Sequence, residues 1–242
     1  MYHFIFDIDD TVYDQIIPFK KAFDRNFAQY AGLSLDELYR HNRHFSDEVF
    51  EQTVRGEMTL EDMHAYRITE AFRAMGIDIS REEALQFQQD YAAAQGELEP
   101  TPDMRAALDY CRDQGLKFGV ITNGPAKHQR KKVQQLGIYD WIKYENVVVS
   151  GELAFMKPDV RIFRHTEQLL GIEAEQTYYI GDSYANDIVG AHGAGWKSIW
   201  INRRGAQIPE NGVQPNVTLN SEDSITAVIR ELCESRERSE RT

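Results

Sequence analysis

Asp7 and Asp9 stand two residues apart at the end of the apolar run Tyr-His-Phe-Ile-Phe, with Asp10 and Thr11 directly behind them. In extended backbone, residues two apart lean toward the same side, so Asp7 and Asp9 share a side and Asp10 points away. Two crowded acids are costly unless a cation or a shared proton relieves their repulsion. A short apolar run of this kind suits a buried parallel strand, and open α/β sheets bind ligands at the carboxyl ends of such strands. On these residues alone two readings stand open. One is a metal-assisted catalytic site; the other is an acidic turn that closes a strand and caps a helix.

Three later stretches bear on the choice. Thr122-Asn123-Gly124 brings a hydroxyl, an amide and a backbone-exposing glycine after an apolar run, Lys157-Pro158 precedes a helical pattern, and Gly181-Asp182-Ser183 follows a second apolar run with Asp187 a helical turn beyond. These types suit phosphate chemistry. A phosphate dianion repels an anionic nucleophile, so a hard divalent cation held by carboxylates is needed, and magnesium accepts an aspartate set without His or Cys. A carboxylate can attack phosphorus, and a second acid can protonate the leaving oxygen and then deprotonate water. Lysine and hydroxyl donors stabilise the charge of the transferring group.

The elements that must position these groups fall into two textures. Strand-like runs at 117–121, 147–149, 177–180, 198–201 and 217–219 alternate with helical patterns, which indicates a parallel sheet of βα units. Between Asp14 and Gly96 the periodicity is helical almost throughout. Phe19, Phe23, Phe27 and Tyr30 fall on one stripe of a first helix ended by Gly32, with Pro18 in its first turn. Ser34, Thr59 and Ser80 look like N-caps of further helices, Ser80-Arg-Glu-Glu being a capping box. Another helix is expected at 47–55. The Phe stripe is read as core packing, His41, Arg43 and His44 as a solvated face, and the basic run Lys127, His128, Arg130, Lys131, Lys132 as an exposed helix face. All four chemistry-bearing stretches sit at strand ends, so a doubly wound sheet would gather them on one edge.

The formal charge of −12 argues against a nucleic-acid polymer or an anionic membrane as partner. The two cysteines, Cys111 and Cys233, make neither a disulfide framework nor a zinc pattern. No leader-like segment opens the chain and no apolar run spans a bilayer, so a cytoplasmic protein is expected.

The four stretches together resemble the motifs of the haloacid dehalogenase superfamily of phosphohydrolases: Asp7-Ile-Asp9-Asp-Thr11, Thr122-Asn123, Lys157-Pro158, and Gly181-Asp182-Ser-Tyr-Ala-Asn-Asp187. With Thr122-Asn-Gly and the run from Gly193 to Asn202, the overall likeness is to its 5′-nucleotidase and small-metabolite phosphatase branch. The resemblance implies a Rossmann-like, doubly wound parallel α/β core at 1–14 and 97–233, an inserted all-helical cap at 15–96, and a flexible tail at 234–242. It implies Asp7 as nucleophile and metal ligand. Asp9 would be general acid/base with its carbonyl on the metal. Thr122 and Asn123 would bind phosphoryl oxygens, Lys157 would neutralise nucleophile and phosphoryl group, and Asp182 and Asp187 would serve the Mg2+ ion. One departure precedes Lys157: Gly151 and Ala154 stand where relatives often carry an acid and a glycine. The implied function is magnesium-dependent hydrolysis of small phosphorylated metabolites, nucleoside 5′-monophosphates among them, by a monomer or weak homodimer. A sugar-phosphate mutase and a non-catalytic phosphate-binding module are the alternatives. Asp9 disfavours dehalogenation, and the lack of cap lysines beyond Lys20 and Lys21 disfavours phosphonate hydrolysis.

Overall fold

A computed structural model describes residues 1–49, 52–53 and 55–240. The chain divides into two compact units, one made of Met1–Asp14 with the stretch from Glu99 onward, the other of Gln15–Leu98.

The first unit is built on six strands: β1 (His3–Phe6), β2 (Phe118–Thr122), β3 (Val147–Val149), β4 (Thr177–Gly181), β5 (Lys197–Ile201) and β6 (Val217–Leu219). Their order is β3-β2-β1-β4-β5-β6, and every pairing is parallel. Parallel strands covered on both faces are continuously apolar, and β2, β3 and β4 are buried along their whole length. The crossover at β1, with β2 on one side and β4 on the other, is the topological switch point of a Rossmann-like sheet. Ile5, Ile121, Tyr179, Phe163 and Trp196 belong to one core cluster.

Local chemistry sets the helices of this unit. The helix Pro102–Asp113 starts behind Thr101, whose hydroxyl accepts from Met104 N–H, with proline at its first position. Ala126–Gln135 follows β2, and Val160–Leu170 is capped by Asp159 and ends on Gly171 in the left-handed conformation. A π-helical turn at Tyr184–Ile188 runs into Val189–Gly193. The last helix is Ile225–Glu240. It runs to Glu240, into the stretch 234–242 expected to be a flexible tail, since Glu and Arg are good helix formers and Glu234 and Arg238 pair one turn apart.

The second unit holds the helices Ile16–Asn26, Leu35–Glu48, Leu60–Ala74 and Arg81–Ala94. Ser34, Thr59 and Ser80 are their N-caps, and Ser80 with Glu83 forms the complete capping box. Its core is aromatic: Phe19, Phe23, Phe27, Phe72, Phe87 and Tyr91 are buried together, with Phe27 and Phe72 ring centroids 4.5 Å apart. The first helix stops at Asn26, before the end of its stripe. Phe27 leaves helical geometry and Tyr30 lies in a 3₁₀ turn, yet both pack against Phe72. Of the helix expected at 47–55, Asp47 and Glu48 end the helix Leu35–Glu48 and Gln52 and Thr53 are helical, while positions 50, 51 and 54 lie outside the described residues. No helix among the described residues is long and apolar enough to cross a membrane.

Candidate active site

Asp7 follows β1 directly, and its N–H donates to Ile180 O of β4 at 2.8 Å, which fixes the residue against the neighbouring strand end. Its Oδ1 accepts from Lys157 Nζ at 2.6 Å. The same ammonium lies 2.7 Å from Asp187 Oδ1 and donates to the Tyr179 hydroxyl at 2.7 Å. Tyr179 in turn donates to Ile121 O at 2.8 Å, so the lysine is braced by β4 and β2 together. Asn123 clamps the Lys157 backbone from both sides: Nδ2 donates to Lys157 O at 2.9 Å and Oδ1 accepts from Lys157 N–H at 3.0 Å. The resemblance implies the Asn123 backbone amide as the group for a phosphoryl oxygen, and the Asn123 side chain is spent on positioning the lysine.

Asp7, Asp182 and Asp187 each offer an oxygen within 4.8 Å of one another. Three carboxylates face one lysine. Burial, then repulsion from Asp187 and Asp9, pushes the Asp7 carboxyl up to about 7 against the pull of Lys157. Burial and the charges of Asp187 and Asp7 likewise raise Asp182 well above the usual carboxylate range. Lys157 is held firmly charged: burial acts downward, but Asp187 and Asp7 outweigh it. An all-oxygen donor set with an uncompensated negative charge fits a hard divalent cation. Gly181 makes room for the Asp187 side chain, because a Cβ there would lie 2.5 Å from the Asp187 Cγ. The Thr122 hydroxyl is buried at the end of β2 and, like the buried Thr11 hydroxyl, has no hydrogen-bond partner among the described residues.

Asp9 belongs to a separate constellation. Lys132 Nζ donates to both of its oxygens at 2.6 and 2.7 Å, Gln129 Nε2 to one at 3.1 Å, and the Tyr13 hydroxyl to the other at 2.6 Å. Burial would raise this carboxyl; the Lys132 charge and these hydrogen bonds overcome it and hold Asp9 below its ordinary value. Gln129 also donates to Asn123 O at 2.8 Å, tying the Asp9 clamp to the loop after β2. Lys132 is therefore a buried residue, contrary to the exposed face expected of the run 127–132. Gln129 and Lys132 lie three apart on one inward face of the Ala126–Gln135 helix, and helical phase was the signal that could have separated them from their basic neighbours.

Asp10 is neither ligand nor helix cap. It sits at φ 55°, its carbonyl accepts from Arg203, and its carboxylate lies 3.4 Å from Arg204, which also donates to Asp14 at 2.6 Å. Two arginines after β5 thus secure the segment that leads out of the first motif. Ser183 caps the turn that carries Asp187, accepting from Asn186 N–H, while Ser183 N–H donates to Asp187 Oδ2 at 2.9 Å. Gly151 has its own reason: its N–H donates to Gly124 O at 3.1 Å, and a Cβ would lie 2.5 Å from that oxygen. An acidic side chain at this position has no space, so the departure before Lys157 follows from a close approach of two loops.

Asp7, Lys157, Asp182 and Asp187 are thus brought together, Thr122 and Asn123 end the adjacent strand, and Asp9 stands beside them in its own clamp. His41 and His44 lie in the helical unit against Phe45, and Arg43 is exposed there. Tyr13, Gln129, Lys132, Tyr179, Arg203 and Arg204 are the participants that motif reading did not single out.

Comparison with known proteins adds a lineage to this geometry. Residues 1–195 match the family of haloacid dehalogenase-like hydrolases. Over 138 residues the chain is 34% identical to the glyceraldehyde 3-phosphate phosphatase of Methanopyrus kandleri, covering 56% of this chain and 58% of that protein. It is 30% identical over 123 residues to the pyrimidine 5′-nucleotidase YjjG of Escherichia coli, covering 50% and 53%. The chain thus spans little more than half the length of these curated relatives. The structure of the hydrolase YfnB from Bacillus subtilis shares the fold, with a TM-score of 0.66 and 21% identity over 96% of this chain and 98% of that one.

Proposed function

The chain belongs to the haloacid dehalogenase-like hydrolase family, and we propose that it is a phosphatase that hydrolyses small phosphate monoesters through an aspartyl-phosphate on Asp7. The observation that carries this reading is the charge balance at the end of β1, where Asp7, Asp182 and Asp187 gather and the ammonium of Lys157 pairs with Asp7 and Asp187. Such a cluster suits a cation and a phosphoryl group together, and the unpaired Thr122 hydroxyl beside it suits a phosphoryl oxygen.

Asp7, Asp182, Asp187 and the Asp9 carbonyl would hold a magnesium ion. When bound, the ion supplies positive charge against the transferring group. Lys157 engages Asp7 Oδ1, and Asp7 Oδ2 accepts no hydrogen bond among the described residues. In the first step an Asp7 oxygen attacks phosphorus, the bond from phosphorus to the ester oxygen breaks, and Asp9 gives its proton to the departing alcohol. In the second step Asp9 takes a proton from water, the hydroxyl attacks phosphorus, and the bond to Asp7 breaks to release phosphate. Asp9 argues for this chemistry over displacement of halide, which needs no acid for its leaving group. The clamp from Lys132 favours the carboxylate that the second step requires, so for the first step Asp9 takes up a proton from solvent, which it then passes to the alcohol. The helical unit 15–98 is read as the substrate-selecting cap of this enzyme. Likeness to a pyrimidine 5′-nucleotidase makes nucleoside 5′-monophosphates one class to try first.

The test is magnesium-dependent release of phosphate from p-nitrophenyl phosphate and from a panel of nucleotides, sugar phosphates and small organic phosphates. Asp7→Asn should reduce turnover by at least about a thousandfold, in the range set by loss of a covalent nucleophile. A folded wild-type protein inert toward every ester would overturn the reading.

A further inference from the structure

Arginines of the helical unit find acids on the surface: Arg25 meets Asp90, Arg73 meets Glu70, and Arg81 meets Asp62. Arg67, half-buried on the helix Leu60–Ala74, does not. One of its terminal nitrogens donates to Gln88 Oε1 at 2.7 Å, the other lies 3.5 Å from Ser46 Oγ, and its guanidinium carbon lies 5.9 Å from the Tyr91 ring centroid. No carboxylate pairs with it among the described residues. The positive charge of Arg43 bears on it as well. A guanidinium is a planar fork of five donors, and this one leaves donors over after its neutral neighbours are served.

The facing helix, Leu35–Glu48, adds a second unsatisfied group. Asn42 is 2% exposed and its Oδ1 has no hydrogen-bond partner among the described residues. It lies one turn before Ser46, on the same face of that helix as the residue that meets Arg67. Buried side-chain amides are normally satisfied. A water could serve Asn42 but would leave the Arg67 charge unanswered. An anionic group flanked by a hydroxyl would answer both.

We propose that Arg67 and Asn42 form an anion-binding subsite within the helical unit, which takes a carboxylate or phosphate group that carries a neighbouring hydroxyl. The anion has two possible sources. As the remote group of a substrate it rests on the phosphatase reading and makes the preferred ester one with a second negative charge. As a free anion acting on the helical unit it is independent of that reading.

Glycerate, a carboxylate with a neighbouring hydroxyl, is the probe, used on the full chain with EDTA present so that it does not act by chelation. It should raise the wild-type melting midpoint by about 2–4 °C through preferential binding to the folded state. Arg67→Met should abolish that shift and Arg67→Lys should keep part of it. Should Arg67→Met fold poorly, Asn42→Asp sets a negative charge one turn before Ser46 on the facing helix and should also abolish it. Turnover of 3-phosphoglycerate and glycerol 3-phosphate separates the sources. If the substrate supplies the anion, Arg67→Met raises KM for the first at least about tenfold more than for the second, as expected for a charge-assisted contact. If a free anion supplies it, the two KM values move together while the glycerate shift is still lost. A glycerate shift that persists in Arg67→Met, or its absence from the wild type, overturns the subsite. A positive glycerate result with no ester hydrolysed by the wild type would instead overturn the phosphatase reading alone.

Discussion

Two lysines divide the work around the first motif. Lys157 serves Asp7 and Asp187, whereas Lys132 grips both oxygens of Asp9 and holds them in a fixed orientation with Gln129 and Tyr13. Orientation matters for an acid that must reach a leaving oxygen, since proton transfer requires hydrogen-bond distance. Removing the ammonium by Lys132→Met frees the carboxylate to turn while leaving Asp7 and its lysine untouched. Substrates then separate by leaving group. An alkyl phosphate needs its alkoxide protonated, whereas p-nitrophenolate departs without help. We predict that Lys132→Met lowers kcat for an alkyl phosphate by about 10²-fold or more, within the range for general acid catalysis, and that p-nitrophenyl phosphate loses much less. Equal losses on both would show that Lys132 only supports the fold.

At the scale of elements, the strand ends were legible because their signals are local: an apolar run, then a polar group, with glycine or proline to turn the chain. β1, β2 and β4 deliver Asp7, Thr122 and Asp182 where those signals stand. What escaped depends on contacts between distant segments. Lys132 is basic among basic residues, and only its packing against the first motif removes it from solvent. The arginines after β5 and the brace from Tyr179 are invisible for the same reason. Phe27 and Tyr30 kept their place in the core although the helix beneath them ends at Asn26, because burial against Phe72 does not require helical backbone. Helix packing also sets a pH response. On the helix Leu60–Ala74, burial and then the charge of Arg67 push His64 down to about 4. The folded protein therefore resists a proton that the unfolded chain accepts near the ordinary value of 6.5. Stability from this residue is complete above about pH 6.5 and is lost progressively as pH falls toward 4. Denaturant midpoints measured across that window should fall less steeply for His64→Gln than for the wild type, and identical slopes would refute the assignment.

On the scale of the whole molecule, the site sets stability against function. A chain of net charge −12 gathers three of its carboxylates at one sheet edge and answers them with one lysine. Without a cation, Asp7, Asp182 and Asp187 repel one another, as the raised Asp7 and Asp182 carboxyls report. Replacing Asp182 by asparagine keeps the shape and removes one charge. In EDTA, Asp182→Asn should therefore melt above the wild type. Magnesium should reverse the order. It binds the folded wild type and stabilises it by roughly 2.7 kcal/mol at a hundred times its dissociation constant, while the variant lacks a ligand and gains little. Thermal midpoints of both proteins, measured against magnesium concentration, should cross. Parallel curves would mean that the cation acts elsewhere, and a wild type indifferent to magnesium would remove the metal from the site. The crossing requires no substrate, so it separates the charge balance at the end of β1 from every question about which ester the enzyme prefers.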